Sequence, residues 1–324
     1  MKKLGFVDLQ VNGLLDMDFG GEGLTLDMVR KITEGLVERG TAAYCATVVT
    51  GSMEMYKNNL PVLADAIRDP EIGPRILGIH LEGPFISPVP GAVGAHNVSC
   101  VRTPSVDEYK MFEEWAEGNI SILTLAPEMP AADKLISYAT SRGCVVSLGH
   151  HWADNDSLQR AVDAGARLSA HLGNGCPNEV RRHDNPIWWQ LACDDLSGSF
   201  ITDGHHLPAD FIKVALRAKT LDHFIVISDA SFLAAMPVGK YGGFGKEVEI
   251  EASGRIFIPQ TQALGGSHST MIECMNHLAS LGLLSEDEMW KVAQTNPLNL
   301  LGRTLGDISG PFVQFDCERF TVVQ

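Results

Sequence analysis

Eight short runs of apolar, often β-branched residues, bounded by turn residues and alternating with longer amphipathic segments, limit what this chain can become. The runs are Leu4–Val11, Ala42–Val49, Arg75–Leu81, Ile120–Leu125, Cys144–Leu148, Arg167–Ala170, Ser199–Ile201 and Phe224–Ile227. Helical patterns lie between them at Leu26–Arg39, Met53–Arg68, Val106–Glu117, Ala131–Ser141, Asp156–Ala164 and Ala209–Ala218. Because the runs are continuous rather than alternating, they suit parallel strands covered on both faces. Eight such units predict a closed (β/α)8 TIM barrel over residues 1–302. The rival is an open doubly wound sheet, and it lacks a Gly-x-Gly-x-x-Gly turn after the first run. Residues 83–104 read as a long loop, and 240–265 as a small hairpin insertion. Helices at Ser269–Leu281 and Glu286–Leu301 close the barrel, and 303–324 form a short tail.

With 324 residues, 45% of them hydrophobic, the chain can bury a large core. A net charge of −15 repels nucleic acid and anionic membrane surfaces, so neither is an expected partner. An anionic small molecule requires a local cluster of donors. Seven cysteines stand far apart, at 45, 100, 144, 176, 193, 274 and 317. No pair has Cys-x-x-Cys spacing, which suits reduced thiols in the cytoplasm. No signal core or run of 18 apolar residues occurs, so the expectation is a soluble, intracellular protein.

The polar residues at the ends of the runs carry the functional reading. Asp8 and Gln10 lie on the first run, Glu82 ends the third, His150 the fifth and His171 the sixth. Asp203 and His206 follow the seventh, and Asp229 ends the eighth. In a barrel these ends meet at one mouth, where barrel enzymes place their chemistry. One carboxylate and two imidazoles suit zinc or another first-row divalent ion, with a fourth position left for water. Zinc lowers the pKa of such a water to about 7. Asp229 then takes the water's proton and delivers it to a leaving amine.

Bland alternatives stand beside each residue. A lone interior histidine is more often a hydrogen-bonded core residue, and His80, His183, His223 and His277 are placed in that class. His151 and His205 adjoin His150 and His206 and compete for their roles. Glu82 also reads as an ion-paired barrel residue, and Asp229 as a helix N-cap. Only their joint position at the same ends of different strands favours a metal site.

With these residues in hand, the chain resembles the N-acetylglucosamine-6-phosphate deacetylases of the metal-dependent amidohydrolase superfamily. The resemblance runs from Gly5 to about Gly302. Its motifs are Gly5-Phe-Val-Asp-Leu-Gln-Val-Asn-Gly13, His80-Leu-Glu-Gly-Pro-Phe85, Gly149-His150, Ala170-His171-Leu-Gly-Asn174, Asp203-Gly-His-His206, Ser228-Asp229-Ala230 and Leu264-Gly-Gly-Ser267. The resemblance implies metal binding by Glu82, His150 and His171 and catalysis by Asp229, with His96 polarising the amide carbonyl. It implies substrate contacts from Asn174, Gly175, Arg182 and His206, with Arg182 reaching across a homodimer to the phosphate. The implied reaction converts N-acetylglucosamine 6-phosphate to glucosamine 6-phosphate and acetate. The alternatives are N-acetylgalactosamine 6-phosphate, an N-acyl amino acid or, in another class, a non-catalytic binding barrel.

Three departures modify that picture. Two-metal members carry His-x-His where this chain has Gln10 and Asn12, so one ion is expected: Zn2+, with Fe2+ or another first-row metal as the alternatives. Most of the family's accessory β-sandwich is expected to be missing, with Pro311–Asp316 and Phe320–Val323 as its vestiges. Gly173 and Gly175-Cys176 stand where bulkier residues are usual.

Overall fold

A computed structural model describes residues 2–243, 246–259 and 263–323. Its centre is an eight-stranded parallel sheet whose strand order follows the chain. The strands are β1 (Phe6–Val11), β2 (Thr41–Val49), β3 (Ile76–Glu82) and β4 (Ile120–Leu125). They continue with β5 (Val145–Leu148), β6 (Leu168–Ser169), β7 (Ser197–Ile201) and β8 (Phe224–Ile227). A parallel bridge between Val11 and Ala230 joins the last strand's end to the first, making a (β/α)8 barrel.

Each strand is followed by a helix: α1 (Leu26–Glu38), α2 (Met53–Arg68), α3 (Val106–Trp115) and α4 (Ala132–Ser141). Then come α5 (Asn155–Ala164), α6 (Pro186–Ala192), α7 (Ala209–Lys219) and α8 (Met271–Ser280). Local chemistry sets several starts. Thr25, Ser52, Ser105 and Asp154 each accept a backbone N–H of the first turn, and Thr270 with Glu273 forms a capping box. Buried apolar residues fill two spaces. Val7, Leu9, Ala43, Cys45, Ile122, Ile201, Ile225 and Ile227 form one cluster with Leu298 and Ile308. Larger clusters pack the outer faces of the strands under the helices.

Several expectations need correction. The first run is two strands, Lys2–Leu4 and β1, because Gly5 turns to donate its N–H to Pro311 O. Helix α6 was missed; at seven residues it is too short for a periodic signal, though Asn185 caps it and Pro186 opens it. The expected helix at Glu286–Leu301 is broken by a π turn at Lys291–Thr295. The expected hairpin is a four-stranded antiparallel sheet: Gly239–Gly243, Lys246–Ile250, Ile256–Ile258 and Ala263–Leu264. The parts of that expectation at 244–245 and 260–262 lie outside the described residues.

The barrel bottom is covered from both ends of the sequence. Lys2–Leu4 pairs with Phe312–Phe315, which pairs with Phe320–Val323, all antiparallel. Phe6, at the start of β1, stacks on Trp290 at 5.2 Å and meets Phe320 edge-on at 5.3 Å. Gln294 donates to Leu4 O and Gly5 O, so the polar backbone there is satisfied. The fully buried Phe6 ring therefore links barrel, closing helix and terminal sheet. Phe6→Ala is expected to cost about 3–5 kcal/mol of stability, read from urea unfolding.

Candidate metal centre

The barrel fixes where each functional side chain begins. Glu82 is the last residue of β3, while His150, His171 and Asp229 each stand two residues beyond β5, β6 and β8. These last three have φ of 51°, 29° and 50°, a left-handed region that residues with side chains rarely occupy. Strain of this kind, about 1–3 kcal/mol each, persists where surrounding structure holds it and clusters at functional sites.

The three expected metal ligands meet at one point. Glu82 Oε1 lies 3.2 Å from His150 Nε2 and 3.0 Å from His171 Nε2, and the two nitrogens are 3.1 Å apart. Metal–ligand bonds of about 2.0–2.1 Å in tetrahedral geometry place donors about 3.3 Å from one another. These donors therefore already stand near the separation that one ion requires. His150 Nδ1 donates to Ala92 O at 2.9 Å, which leaves Nε2 with its lone pair toward the centre. Burial works to raise the Glu82 pKa, but hydrogen bonds from His150 and His171, with charge at His150 and His96, hold it well below its usual range. Burial works to lower His171, and Glu82 instead lifts it above its usual value. All three residues are buried, and their ligand atoms lie within 4.8 Å of one another.

Asp229 borders this centre. Its Oδ1 accepts Gln10 Nε2 at 3.0 Å and Asn12 Nδ2 at 2.7 Å, and Gln10 Nε2 also reaches Glu82 Oε1 at 2.9 Å. The positions where a second metal would need imidazoles thus hold amides that orient Asp229. Burial, and then the Glu82 charge, push the Asp229 carboxyl up to about 6. His96 Nε2 lies 3.1 Å from His150 Nε2, and His96 Nδ1 accepts the Thr50 N–H at 3.3 Å. That bond leaves the His96 proton on Nε2, facing the centre. Burial and the neighbouring imidazole of His150 push His96 down to about 3, so it is neutral.

The remaining expected residues fall into two groups. His206 stands at the mouth, its Nδ1 donating to Asp203 Oδ2 at 2.8 Å, and Ser267 Oγ supports the same oxygen at 3.3 Å. Asn174 and Gly175 lie on the loop after β6. A Cβ at Gly175 would come within 3.0 Å of His171 and 3.1 Å of His150, so this loop presses directly on the two imidazoles. Arg182 is apart from them: it is exposed and makes no hydrogen bond or ion pair among the described residues, while Arg181 pairs with Asp184. Of the doubled histidines, His151 turns to Gln190 and Ala153, and His205 to Ser253 O. His80 bridges Leu9 O and Thr124 inside the barrel. The amides of Gln10 and Asn12 were not foreseen as partners of Asp229; alternate residues on one strand share a face, and that spacing was the available signal.

A Glu, two His and an Asp gathered at the mouth of a (β/α)8 barrel define a metal-dependent hydrolase of the amidohydrolase type. No family model matches the chain. It is 30% identical over 312 residues to the N-acetylglucosamine-6-phosphate deacetylase of Bos taurus, covering 92% of this chain and 74% of that one. It is 29% identical over 312 residues to the N-acetylgalactosamine-6-phosphate deacetylase of Shewanella sp. (strain ANA-3), covering 94% and 75%. The crystal structure of N-acetylglucosamine-6-phosphate deacetylase from Pasteurella multocida superposes with a TM-score of 0.87 at 27% identity, over 98% of this chain and 83% of that one. The chain belongs to the N-acetylglucosamine-6-phosphate deacetylase family.

The Asp203–His206 pair has a consequence for acid stability. Burial would raise the Asp203 pKa, but the His206 hydrogen bond and charge, with two backbone N–H groups, hold it at about 2. The folded value lies below the unfolded 3.8, so the pair stabilises above about pH 4 and the benefit is lost as pH falls through about 2. The stability advantage of the native chain over Asp203→Asn should shrink across that window, measured by urea midpoints.

Proposed function

We propose that this chain hydrolyses the N-acetyl amide of N-acetylglucosamine 6-phosphate, releasing acetate and glucosamine 6-phosphate. The observation that carries this reading is Asp229 beside the buried Glu82–His150–His171 cluster, in a chain of this family. A divalent ion held by those three residues supplies Lewis acidity toward an amide carbonyl and toward water. Imidazole and carboxylate donors suit zinc, with iron(II) or another first-row ion as the alternative.

The chain's own groups do the rest. Asp229 has Oδ1 occupied by two amides, so Oδ2 takes the proton from the attacking water and returns it to the departing nitrogen. His96 Nε2–H donates to the carbonyl oxygen as negative charge gathers there. Asn174 and the Gly175 backbone hold the sugar phosphate. His206, its Nδ1 engaged by Asp203, offers Nε2 to the same phosphate. Arg182, exposed and unpaired among the described residues, reaches the phosphate held by a second copy in a homodimer. Seven free cysteines, and the lack of any described helix long and apolar enough to cross a membrane, support a cytoplasmic setting.

Two measurements test this. Elemental analysis should find about one ion per chain, because Gln10 and Asn12 occupy the place of a second ligand pair. His171→Ala should lose most of that metal; two equivalents in the native protein would contradict the single site. Acetate release should favour the 6-phosphorylated sugar over N-acetylglucosamine. Arg182→Ala should cut that preference about 10–100-fold while leaving the unphosphorylated sugar little changed. The 29% identity with the galactosamine enzyme makes N-acetylgalactosamine 6-phosphate the second reading, and faster turnover of that epimer would establish it.

A further inference from the structure

The ring of strands is joined most thinly where β8 returns to β1. The backbone bridge there is Val11–Ala230, beyond the last residue of β8. Further down the seam the connection passes through a side chain. The fully buried Asp8 carboxylate accepts the Gln10 N–H at 3.2 Å, the Ser228 N–H at 3.2 Å and the Ser228 hydroxyl. Ser228 Oγ accepts the Ala230 N–H at 3.1 Å. Ala230 O in turn accepts the N–H groups of Asn12 at 2.8 Å and Gly13 at 3.2 Å. Both neighbours of Asp229 are therefore tied to β1, and Asp229 between them is held at φ 50°.

Asp8 forms no ion pair among the described residues, and burial pushes its carboxyl up to about 7. A buried carboxyl without a counter-charge is costly, and an amide or apolar residue would close a seam at lower cost. What the carboxylate adds is three convergent acceptor contacts, two of them to the residue immediately before Asp229.

We propose that Asp8 is a positioning residue for the reaction: with Ser228 it holds the Asp229 backbone in its left-handed turn and aims Oδ2 at the scissile amide. The proposal rests on Asp229 as the proton carrier. Gln10 and Asn12 fix the other carboxylate oxygen, but Gln10 lies on the strand that Asp8 anchors and Asn12 directly follows it. Displacing a reacting group by about 1 Å can cost about 100-fold in rate, so an anchor one residue away has leverage.

The test is a double-mutant cycle on the metal-loaded enzyme with N-acetylglucosamine 6-phosphate, using Asp8→Ala, Asp229→Asn and the pair together. Asp8→Ala should lower kcat about 10–100-fold with KM and metal content within about twofold of the native protein. In the Asp229→Asn background the same change should cost less than about twofold, since Asp8 then has nothing left to aim. Equal losses in both backgrounds, or a normal kcat for Asp8→Ala alone, would overturn the proposal. Near-normal turnover by Asp229→Asn alone would instead overturn the role of Asp229, and the two failures are distinct. If Asp8→Ala does not fold, Ser228→Ala and Asp8→Asn enter the same cycle with the same readings.

Discussion

Closing eight parallel strands into a ring places every C-terminal strand end on one rim, and the rest of this protein follows from that closure. Glu82, His150, His171 and Asp229 are separated by as many as 147 residues, yet each needs only to end its own strand to reach the others. Closure also removes the sheet edges, and helices outside with side chains inside bury the strands on both faces. Several small hydroxyls, such as Thr47, Ser147, Ser169 and Ser199, are buried there. Asp8, Gln10, His80 and Glu82 are the larger polar side chains buried on strands β1 and β3, and all four are hydrogen-bonded.

Electrostatics at the mouth is arranged by mutual compensation within a strongly acidic chain. Glu82 is stabilised by two imidazoles and Asp203 by His206, whereas at Asp229 burial and the Glu82 charge outweigh the help of His171, His206 and the Asn12 amide. Those differences separate their behaviour: Glu82 and Asp203 are held low and Asp229 is pushed up. Three carboxylates in one cleft thus hold their protons to different degrees. The division is set by their neighbours, since Asp and Glu are intrinsically alike.

The barrel was legible because its strands are continuous apolar runs and most of its helices are long enough to show a period. The elements that escaped are short or locally determined. Helix α6 has seven residues, and the break at Gly5 depends on pairing with Pro311, more than 300 positions away. The sheet built on 239–264 read as a hairpin because alternation reports strands but not how many pair. In the site, residue types and strand ends placed Glu82, His150, His171 and Asp229 correctly at one mouth. The choice of His150 over His151 follows from backbone direction, which only the left-handed turn reveals. The supporting bonds from Asp8, Thr50 and the two amides depend on side chains meeting across the ring, and no local pattern announces such contacts.

The left-handed turns at His150, His171 and Asp229 also bear on how such a chain changes over generations. Each holds a bulky side chain where glycine or asparagine would sit more comfortably. Relaxing any one of them would make the folded chain more durable while spoiling the centre. A lineage that lost its need for the reaction would accumulate those replacements first, because stability and neglect would favour the same three codons. Two histidines and an aspartate at those turns are therefore residues that backbone comfort alone would not choose.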